Sequence, residues 1–555
     1  MPAYDPAPDA DSLYFLPLGG TGEIGMNLNL YGHDGQWLMV DLGITFPEDG
    51  SLPGVEVLMP DPRFIEERRD HLIGLVVTHG HEDHIGAIPY LWPRLRCPVY
   101  ATPFTAELLR RKLSEVGLLG EVELHVIPLS GHFSLGSFDI ELISLTHSIP
   151  EPNALVIRTS LGTVLHTGDW KIDPDPLVGD DFDEEALKAL AEEGVLALVG
   201  DSTNAMVEGS SGSEAEVREN LTQLVKEAEG RVLVACFATN VARLESAMVA
   251  AKRAGRRVCL VGRSMKRIYD AASLTGYLDS PAPLIDEEEV GYLPRNEVLI
   301  LATGSQGEPR AALPRIARGE HRHVVLEPQD TVIFSSRVIP GNERPIQRLQ
   351  ERLRATGATV LTDDEVFIHV SGHPAREELS QMYHWVRPRV AVPVHGEPQH
   401  LRAHAELAKA CQVPQAVVGG NGKVIRLAPG PEPAIVDEVV SGRLALDGTR
   451  LLPVDAVALK ERGRLSGGGL VMASLVVDSR GDLLAEPKVS ERGVGAQDQE
   501  RDWLIRTAEE AVAKAGSGLR RDDERLREQV RLALRRKVQA AIGKKIQIEV
   551  QLIRL

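Results

Sequence analysis

Cysteine is scarce: Cys97, Cys236, Cys259 and Cys411 stand far apart, with no CxxC pair among them. That spacing gives no basis for a zinc ribbon or a redox motif and predicts reduced, mostly buried thiols. No apolar run approaches the roughly 18 to 20 residues of a membrane span, and the opening MPAYDPAPDADS lacks the basic flank and apolar stretch of a signal peptide. The expectation is a cytoplasmic protein without a membrane partner. Positive charge is also in deficit, 61 Lys and Arg against 80 Asp and Glu, for a net charge of −19. Coating of nucleic acid through bulk electrostatics is therefore disfavoured. A locally positive cleft remains compatible, particularly one in which metal ions supply charge.

What is present is a long chain of ordinary composition. Its 555 residues, 43% hydrophobic and 25% charged, predict two or three domains with substantial cores. Short apolar runs at 14–18, 37–40, 72–77, 140–145, 163–165 and 196–199 read as strands, and several end in Gly, Asp or His. Polar residues at strand ends are where α/β sheets build sites. Between residues 212 and 365 the rhythm becomes strand, helix, strand, as in 232–236, 241–254 and 258–261, which predicts a parallel sheet with covering helices. From residue 366 strands ending in His resume. The simplest organisation is a first domain over 1–211 that continues at 366–446, with a second domain inserted over 212–365. The turn-rich stretch 447–468 reads as a linker, and 469–555 as a small C-terminal α+β domain. The Arg-rich run 520–536, spaced for intrahelical pairing, reads as a solvated helix face.

The chemistry concentrates in His79-Gly-His81-Glu-Asp83-His84, which follows the apolar strand LIGLVV. Three imidazoles and two carboxylates within six residues need a cation to organise them, and imidazole nitrogen and carboxylate oxygen are ligands zinc accepts. One loop cannot close two metal shells. His147 after IELISLT, Asp169 after TVLHTG and His395 after VAVPV stand where apolar runs stop, and are candidates for the remaining positions. Asp41, ending WLMVD, is either a carboxylate orienting a ligand histidine or a turn residue. Thr303, Gly304 and Ser305 in TGSQG and His369, Val370, Ser371, Gly372 and His373 in HVSGH follow strands, so both loops are candidates to cradle a terminal phosphate.

HGHEDH, the His of LTHS, the Asp of HTGDW and the late His of VHGE resemble the metallo-β-lactamase superfamily. Asp201 in VGDSTNA, His373 in HVSGH and His395 in PVHGE, spanning an inserted domain, resemble its β-CASP group. PLGGTGEIGMN, ATGSQGEP and the small C-terminal unit extend the likeness, over nearly the whole chain, to the bacterial ribonuclease J family. The resemblance implies an αββα sandwich with an inserted β-CASP α/β domain and a small C-terminal α+β domain. It further implies one zinc on His79, His81 and His147, a second on Asp83, His84 and His395, and Asp169 between them. Manganese or magnesium are alternative activating metals.

The implied activity is metal-dependent hydrolysis of single-stranded RNA, 5′ to 3′ from monophosphorylated ends with additional internal cutting, in mRNA decay and rRNA maturation. Implied partners are a second copy through the C-terminal unit, as a dimer or a pair of dimers, and other RNA-degradation proteins. His373 is not needed in either shell, which leaves it to contact a phosphate or to protonate the leaving 3′-oxygen with a near-neutral pKa. Asp201 is a second proton-transfer candidate, or holds a ligand histidine. A DNA-processing β-CASP nuclease and a non-catalytic RNA-binding subunit are the alternatives; HVSGH favours RNA, and a scaffold would have broken ligands. A thioester or lactam hydrolase would share the histidine motif but has no use for the insertion.

Overall fold

The computed structural model describes residues 8–48, 51–339, 341–430, 432–494 and 498–555. The first seven residues of the Pro- and Asp-rich leader lie outside the described residues.

Apolar runs of strand length pair into two large sheets. One has eight strands in the order Ala434–Glu438, Lys423–Ala428, Leu13–Gly19, Leu28–His33, Gln36–Val40, Leu72–Val76, Val99–Ala101 and Leu124–Val126. The other has seven, in the order Gln415–Ala416, Val390–Val394, Val195–Asp201, Gly162–His166, Asn153–Thr159, Phe138–Ser144 and His132–Leu135. Their inner faces share one core, to which Phe15, Tyr31 and Leu38 contribute from the first sheet and Phe138, Leu155 and Val199 from the second.

Period-2 alternation decides which residues go there. In Val195–Asp201, Ala197 and Val199 face the opposite sheet, while Leu198 packs with Leu187, Leu379 and Leu407 of the helices Glu184–Glu193, Arg376–Val386 and Pro398–Ala410. A register shift between Val195 and Ala197 breaks the alternation and puts Val195 on the helix side too. Helix Pro103–Glu115 covers the first sheet near Val99–Ala101 and Leu124–Val126. This is the αββα sandwich expected from the resemblance.

The inserted domain begins with helix Glu214–Glu227. Its six strands are all parallel, in the order Leu284–Ile285, Arg257–Val261, Val298–Ala302, Val232–Ala235, Thr331–Phe334 and Thr359–Leu361. The chain leaves the sandwich after Val195–Asp201 and re-enters it at Val390–Val394, which pairs in parallel beside that same strand. The insertion therefore leaves the sheet unbroken.

Buried charge fastens its root. Asp173 accepts from Ser213 Oγ at 2.7 Å and from the Glu214 amide at 3.0 Å, and pairs with Lys171 at 2.8 Å. Glu214 in turn pairs at 3.0 Å with Arg243, whose guanidinium also donates to the Ser335 and Ile368 carbonyls at 2.8 and 3.0 Å. Arg243 is fully buried. It thus ties two helices and a strand end of the insertion to the segment that carries His369 and His373.

Residues 47–56 and 445–555 form a separate unit. Strand Leu470–Val477 lies between Lys488–Arg492, antiparallel, and Gln547–Arg554, parallel. Leu526, Val530, Leu534 and Val538 of helix Asp523–Ile542 are buried, while Arg531 pairs with Glu528 on the solvated side, as the charge spacing predicts. The stretch read as a linker is instead structured, with strand Arg450–Pro453 and helix Val457–Gly468. Arg462 of that helix binds both oxygens of Asp447, at 2.9 and 3.0 Å. Of its glycines, taken for turn signals, Gly463 lies inside the helix and Gly467 and Gly468 close it, followed by Gly469 with φ 79°.

Removing one partner of a buried charge pair strands the other. Arg243→Met is therefore expected to destabilise the sandwich and insertion by about 3 to 5 kcal/mol, read as a lowered midpoint in chemical denaturation.

Candidate metal centre

In the second sheet Phe138–Ser144, Gly162–His166, Val195–Asp201 and Val390–Val394 run in one direction, so their C-terminal ends share an edge. His147, Asp169, Asp201 and His395 stand at or just beyond those ends. The first sheet delivers Asp41 after Gln36–Val40 and His79 after Leu72–Val76. Asp41 and His395 take left-handed backbone conformations, φ 62° and 50°, which are uncommon for side-chain-bearing residues and concentrate at functional sites. The ligand-dense loop comes close because residue 43 is glycine: a Cβ there would lie 1.6 Å from the Asp83 carbonyl oxygen.

Three overlapping groups of donors result among the described residues, one of them Asp169, Asp201, His373 and His395; the other two hold the seven residues expected as ligands. Of these two, His79, His81, His147 and Asp169 form the first, and Asp83, His84, Asp169 and His395 the second; within each, one ligand atom per residue lies within 4.8 Å of all the rest. Nε2 of His79 and Nε2 of His147 stand 3.0 and 3.1 Å from Nδ1 of His81. Tetrahedral ligands at 2.0 Å from zinc would be separated by about 3.3 Å. Nε2 of His395 and Oδ1 of Asp169 are buried with no hydrogen-bond partner among the described residues. Such atoms are costly unless something satisfies them. Converging lone pairs and orphaned donors fit a transition-metal cation.

The outward ring nitrogens fix which atoms point in. Asp41 takes the Nδ1 proton of His84 at 2.7 Å and binds Thr78 through its amide at 2.8 Å and its hydroxyl at 2.9 Å. Because the Thr78 hydroxyl gives its proton to Asp41, it can accept from His79 Nδ1 at 3.0 Å. The Gly372 carbonyl accepts from His147 Nδ1. A Cβ at Gly372 would sit 2.6 Å from the His147 ring, so this approach requires glycine. Asp41 thus binds His84 and Thr78 across the sheet rather than only closing a turn.

Burial, then the neighbouring rings, holds His79 and His147 well below the ordinary imidazole range; burial lowers His81 to about 4, against the pull of Asp83 and Asp169. These rings are neutral, as metal ligands must be. Burial would also lower His84, but Asp169, Asp83 and Asp41 raise it well above. For Asp169 burial acts upward, and the His395 and His84 rings overcome it and hold the carboxyl well below its usual range. The second group thus favours positive charge at its centre.

His373 stands beside both groups with its ring 23% exposed, and its Nδ1 lies 2.8 Å from Asp201 Oδ2. Burial lowers its pKa, but Asp201 and then Asp169 raise it to about 9, above the near-neutral value expected. Asp201 is buried, and the histidine it holds is His373. Ser371 Oγ accepts from Asn204 Nδ2 at 2.7 Å and from the His373 amide at 3.1 Å, which leaves its own proton free to donate. Val370 is buried against Gly212, and His369 Nδ1 lies 3.4 Å from Arg243.

The 303–305 loop folds back on the start of the following helix. The Thr303 carbonyl accepts from the Leu313 amide at 2.9 Å and Ser305 is buried. Among the described residues its connection to Ser371 runs through Gln306, which donates to the Arg337 carbonyl at 2.8 Å, and Arg337, which donates to Asn204 at 3.2 Å. Sequence reasoning missed Asn27, Thr78, Asn204, Arg243 and Arg337. Asn27 and Asn204 did stand within quoted motifs.

Family descriptions match four parts of the chain: metallo-beta-lactamase superfamily at 25–217, Ribonuclease J, beta-CASP domain at 229–353, Zn-dependent metallo-hydrolase RNA specificity domain at 364–414, and Ribonuclease J C-terminal domain at 457–555. Ribonuclease J of Sinorhizobium meliloti is 47% identical over 98% of this chain and 97% of its own. That of Synechocystis is 38% identical over 97% and 85%, and that of Mycobacterium tuberculosis 39% over 89% and 88%. A crystal structure of a protein of unknown function from Enterococcus faecalis shares the fold, with a TM-score of 0.51 at 17% identity, over 75% of this chain and all of that one.

Partners behind metal ligands typically carry 10- to 100-fold in affinity. Asp41→Asn is expected to weaken metal binding by about that factor in chelator competition, with the far-ultraviolet circular dichroism spectrum unchanged.

Proposed function

Because the chain belongs to the ribonuclease J family and is a metal-dependent ribonuclease, we propose that it holds two zinc ions and degrades single-stranded RNA from the 5′ end. His79, His81 and His147 hold one ion, Asp83, His84 and His395 the other, and Asp169 is shared. The observation that carries this reading is that the seven expected ligands fall into two donor groups meeting at Asp169, while in the third group His373 is taken by Asp201 at 2.8 Å. When bound, two such ions supply activation of a water for attack and neutralisation of charge on the scissile phosphate. Zinc suits the His-rich donor set; manganese or magnesium are activating alternatives.

The chain's own residues orient the substrate and move the proton. Asp201 holds His373 through Nδ1, leaving Nε2 to face the cleft and protonate the leaving 3′-oxygen. Ser371 offers its free hydroxyl proton to a terminal phosphate oxygen, with the Gly372 and His373 amides on the same segment. Arg337 supplies positive charge next to Asn204, at the edge of this anchor. The 303–305 loop stands behind Gln306 as its support.

An anchor at fixed distance from the metals releases mononucleotides in the 5′ to 3′ direction; internal cutting occurs when RNA enters without filling it. Such an activity serves mRNA decay and rRNA maturation in the cytoplasm. The match to an RNA specificity domain favours RNA over DNA. The small C-terminal unit carries none of the proposed ligands, and we assign it to dimerisation, with tetramers and other RNA-degradation proteins as further assemblies.

Elemental analysis is expected to find two transition-metal ions per chain. His81→Ala or Asp83→Ala should abolish cleavage without loss of the folded circular dichroism signal, and unchanged activity in chelator would refute the assignment. RNA with a 5′-monophosphate should be degraded faster than the same RNA with a 5′-triphosphate. A hydrogen bond to a charged oxygen contributes roughly 1.5 to 3 kcal/mol, so Ser371→Ala should narrow that difference by about tenfold or more. Equal wild-type rates on the two ends, or products released from the 3′ end, would show that the anchor is misassigned.

A further inference from the structure

The glycine-rich opening PLGGTGEIGMN ends in Asn27, a buried amide that no step of the cleavage reaction uses. The backbone N–H of Asn27 and its side-chain Nδ2 both donate to the Asp83 carbonyl oxygen, each at 3.0 Å. A carbonyl oxygen can only accept, so the end of the amide facing Asp83 must be the NH₂. The opposite end is then the oxygen, and it lies 3.0 Å from His395 Nδ1. That nitrogen must carry the proton. A neutral imidazole has one N–H, so the lone pair is on Nε2, the buried nitrogen that lacks a partner and stands 3.7 Å from Asp169 and 3.8 Å from Asp83.

The surroundings hold this amide in place. Residue 20 must be glycine, because a Cβ there would lie 2.2 Å from Asn27 Oδ1, and the Gly20 carbonyl accepts the His395 backbone N–H at 2.7 Å. The Asn27 carbonyl accepts from the Gly43 amide at 2.9 Å, the glycine that lets the Asp83 loop approach. Nδ2 also lies 3.1 Å from His84 Nε2. Among the described residues this one side chain therefore hydrogen-bonds to the Asp83 main-chain carbonyl and reaches the His84 and His395 rings, and it makes no recorded hydrogen bond to His79, His81 or His147.

We propose that Asn27 is the positioning residue of the second metal position: it fixes the tautomer and aim of His395 and locks that ring to the Asp83–His84 loop. The inference rests on the two-ion reading above. His84 is oriented by a carboxylate, Asp41, whereas His395 is oriented by a neutral amide, which polarises its ring less. The second position accordingly depends on Asn27 for direction rather than for charge.

The test measures zinc stoichiometry and affinity of the full chain by dialysis against chelator-buffered zinc, with the unfolding midpoint followed in parallel. Asn27→Leu and Asn27→Ala remove the acceptor, and Asn27→Asp retains it. The acceptor-less variants are expected to bind the first ion as wild type does and the second about 10- to 100-fold more weakly. Their cleavage should fall at limiting zinc and return in excess zinc. Asn27→Asp, which keeps the acceptor for His395 but loses the donor to the Asp83 carbonyl, should weaken the second ion selectively and by less than the acceptor-less variants do. The assignment is overturned if Asn27→Leu and Asn27→Ala hold both ions with wild-type affinity, if they lose both together, or if Asn27→Asp loses the second ion as they do. A wild-type chain that binds a single ion overturns the two-ion reading itself, an outcome separate from any behaviour of the variants.

Discussion

The structure turns on the convergence of imidazole lone pairs at one sheet edge. Neutral rings of His79, His81 and His147 bring nitrogens to about 3 Å of one another, too close for lone pairs that face each other without a proton or a cation between. Buried carboxylates of Asp41 and Asp169 sit behind and between the rings. Nothing in the local sequence makes this arrangement favourable by itself. It is imposed by the strands, whose cores are extensive enough to hold their ends wherever the chemistry needs them. The partners on the outward nitrogens keep each ring from turning to satisfy itself.

The inserted domain is fastened to this centre by polar contacts in the interior. Asp173, two residues beyond Lys171 and four beyond Asp169, takes the first helix of the insertion. Glu214 of that helix takes Arg243, and Arg243 takes the carbonyl of Ile368, just before HVSGH. On another side, buried Glu151, four residues after His147, accepts from the Tyr277 hydroxyl at 2.8 Å. Directional contacts of this kind specify orientation more sharply than hydrophobic area does. They connect the edge that carries Asp169 to the loop that carries His373.

Much of this was legible in the amino-acid order. Ligand identity is a matter of residue type, and the ends of apolar runs give position, so His79 to His84, His147, Asp169 and His395 could be picked out without coordinates. The strand-helix rhythm of the insertion was equally plain. What could not be read was pairing across long separations. Asn27 meets His395 across 368 positions, and no local pattern marks an amide that will face a histidine. Asp201 could be singled out but not given a role, because whether it meets His373 or a ligand depends on strand register. The glycines near residue 468 misled for a different reason: the same residue type ends helices and makes loops, and the backbone of Val457–Gly468 is helical.

Three neighbouring residues carry three separate duties. Ser371 presents a hydroxyl, Gly372 gives its carbonyl to His147, and His373 sits on Asp201. Because they share one short stretch of backbone, a change that suits one shifts the other two, and effects of substitutions in contact with one another do not add. The tripeptide is therefore constrained as a unit: a change at one of the three positions has to be absorbed by the other two, whereas at a residue facing them, such as Arg337, the cost of drift is confined to one contact.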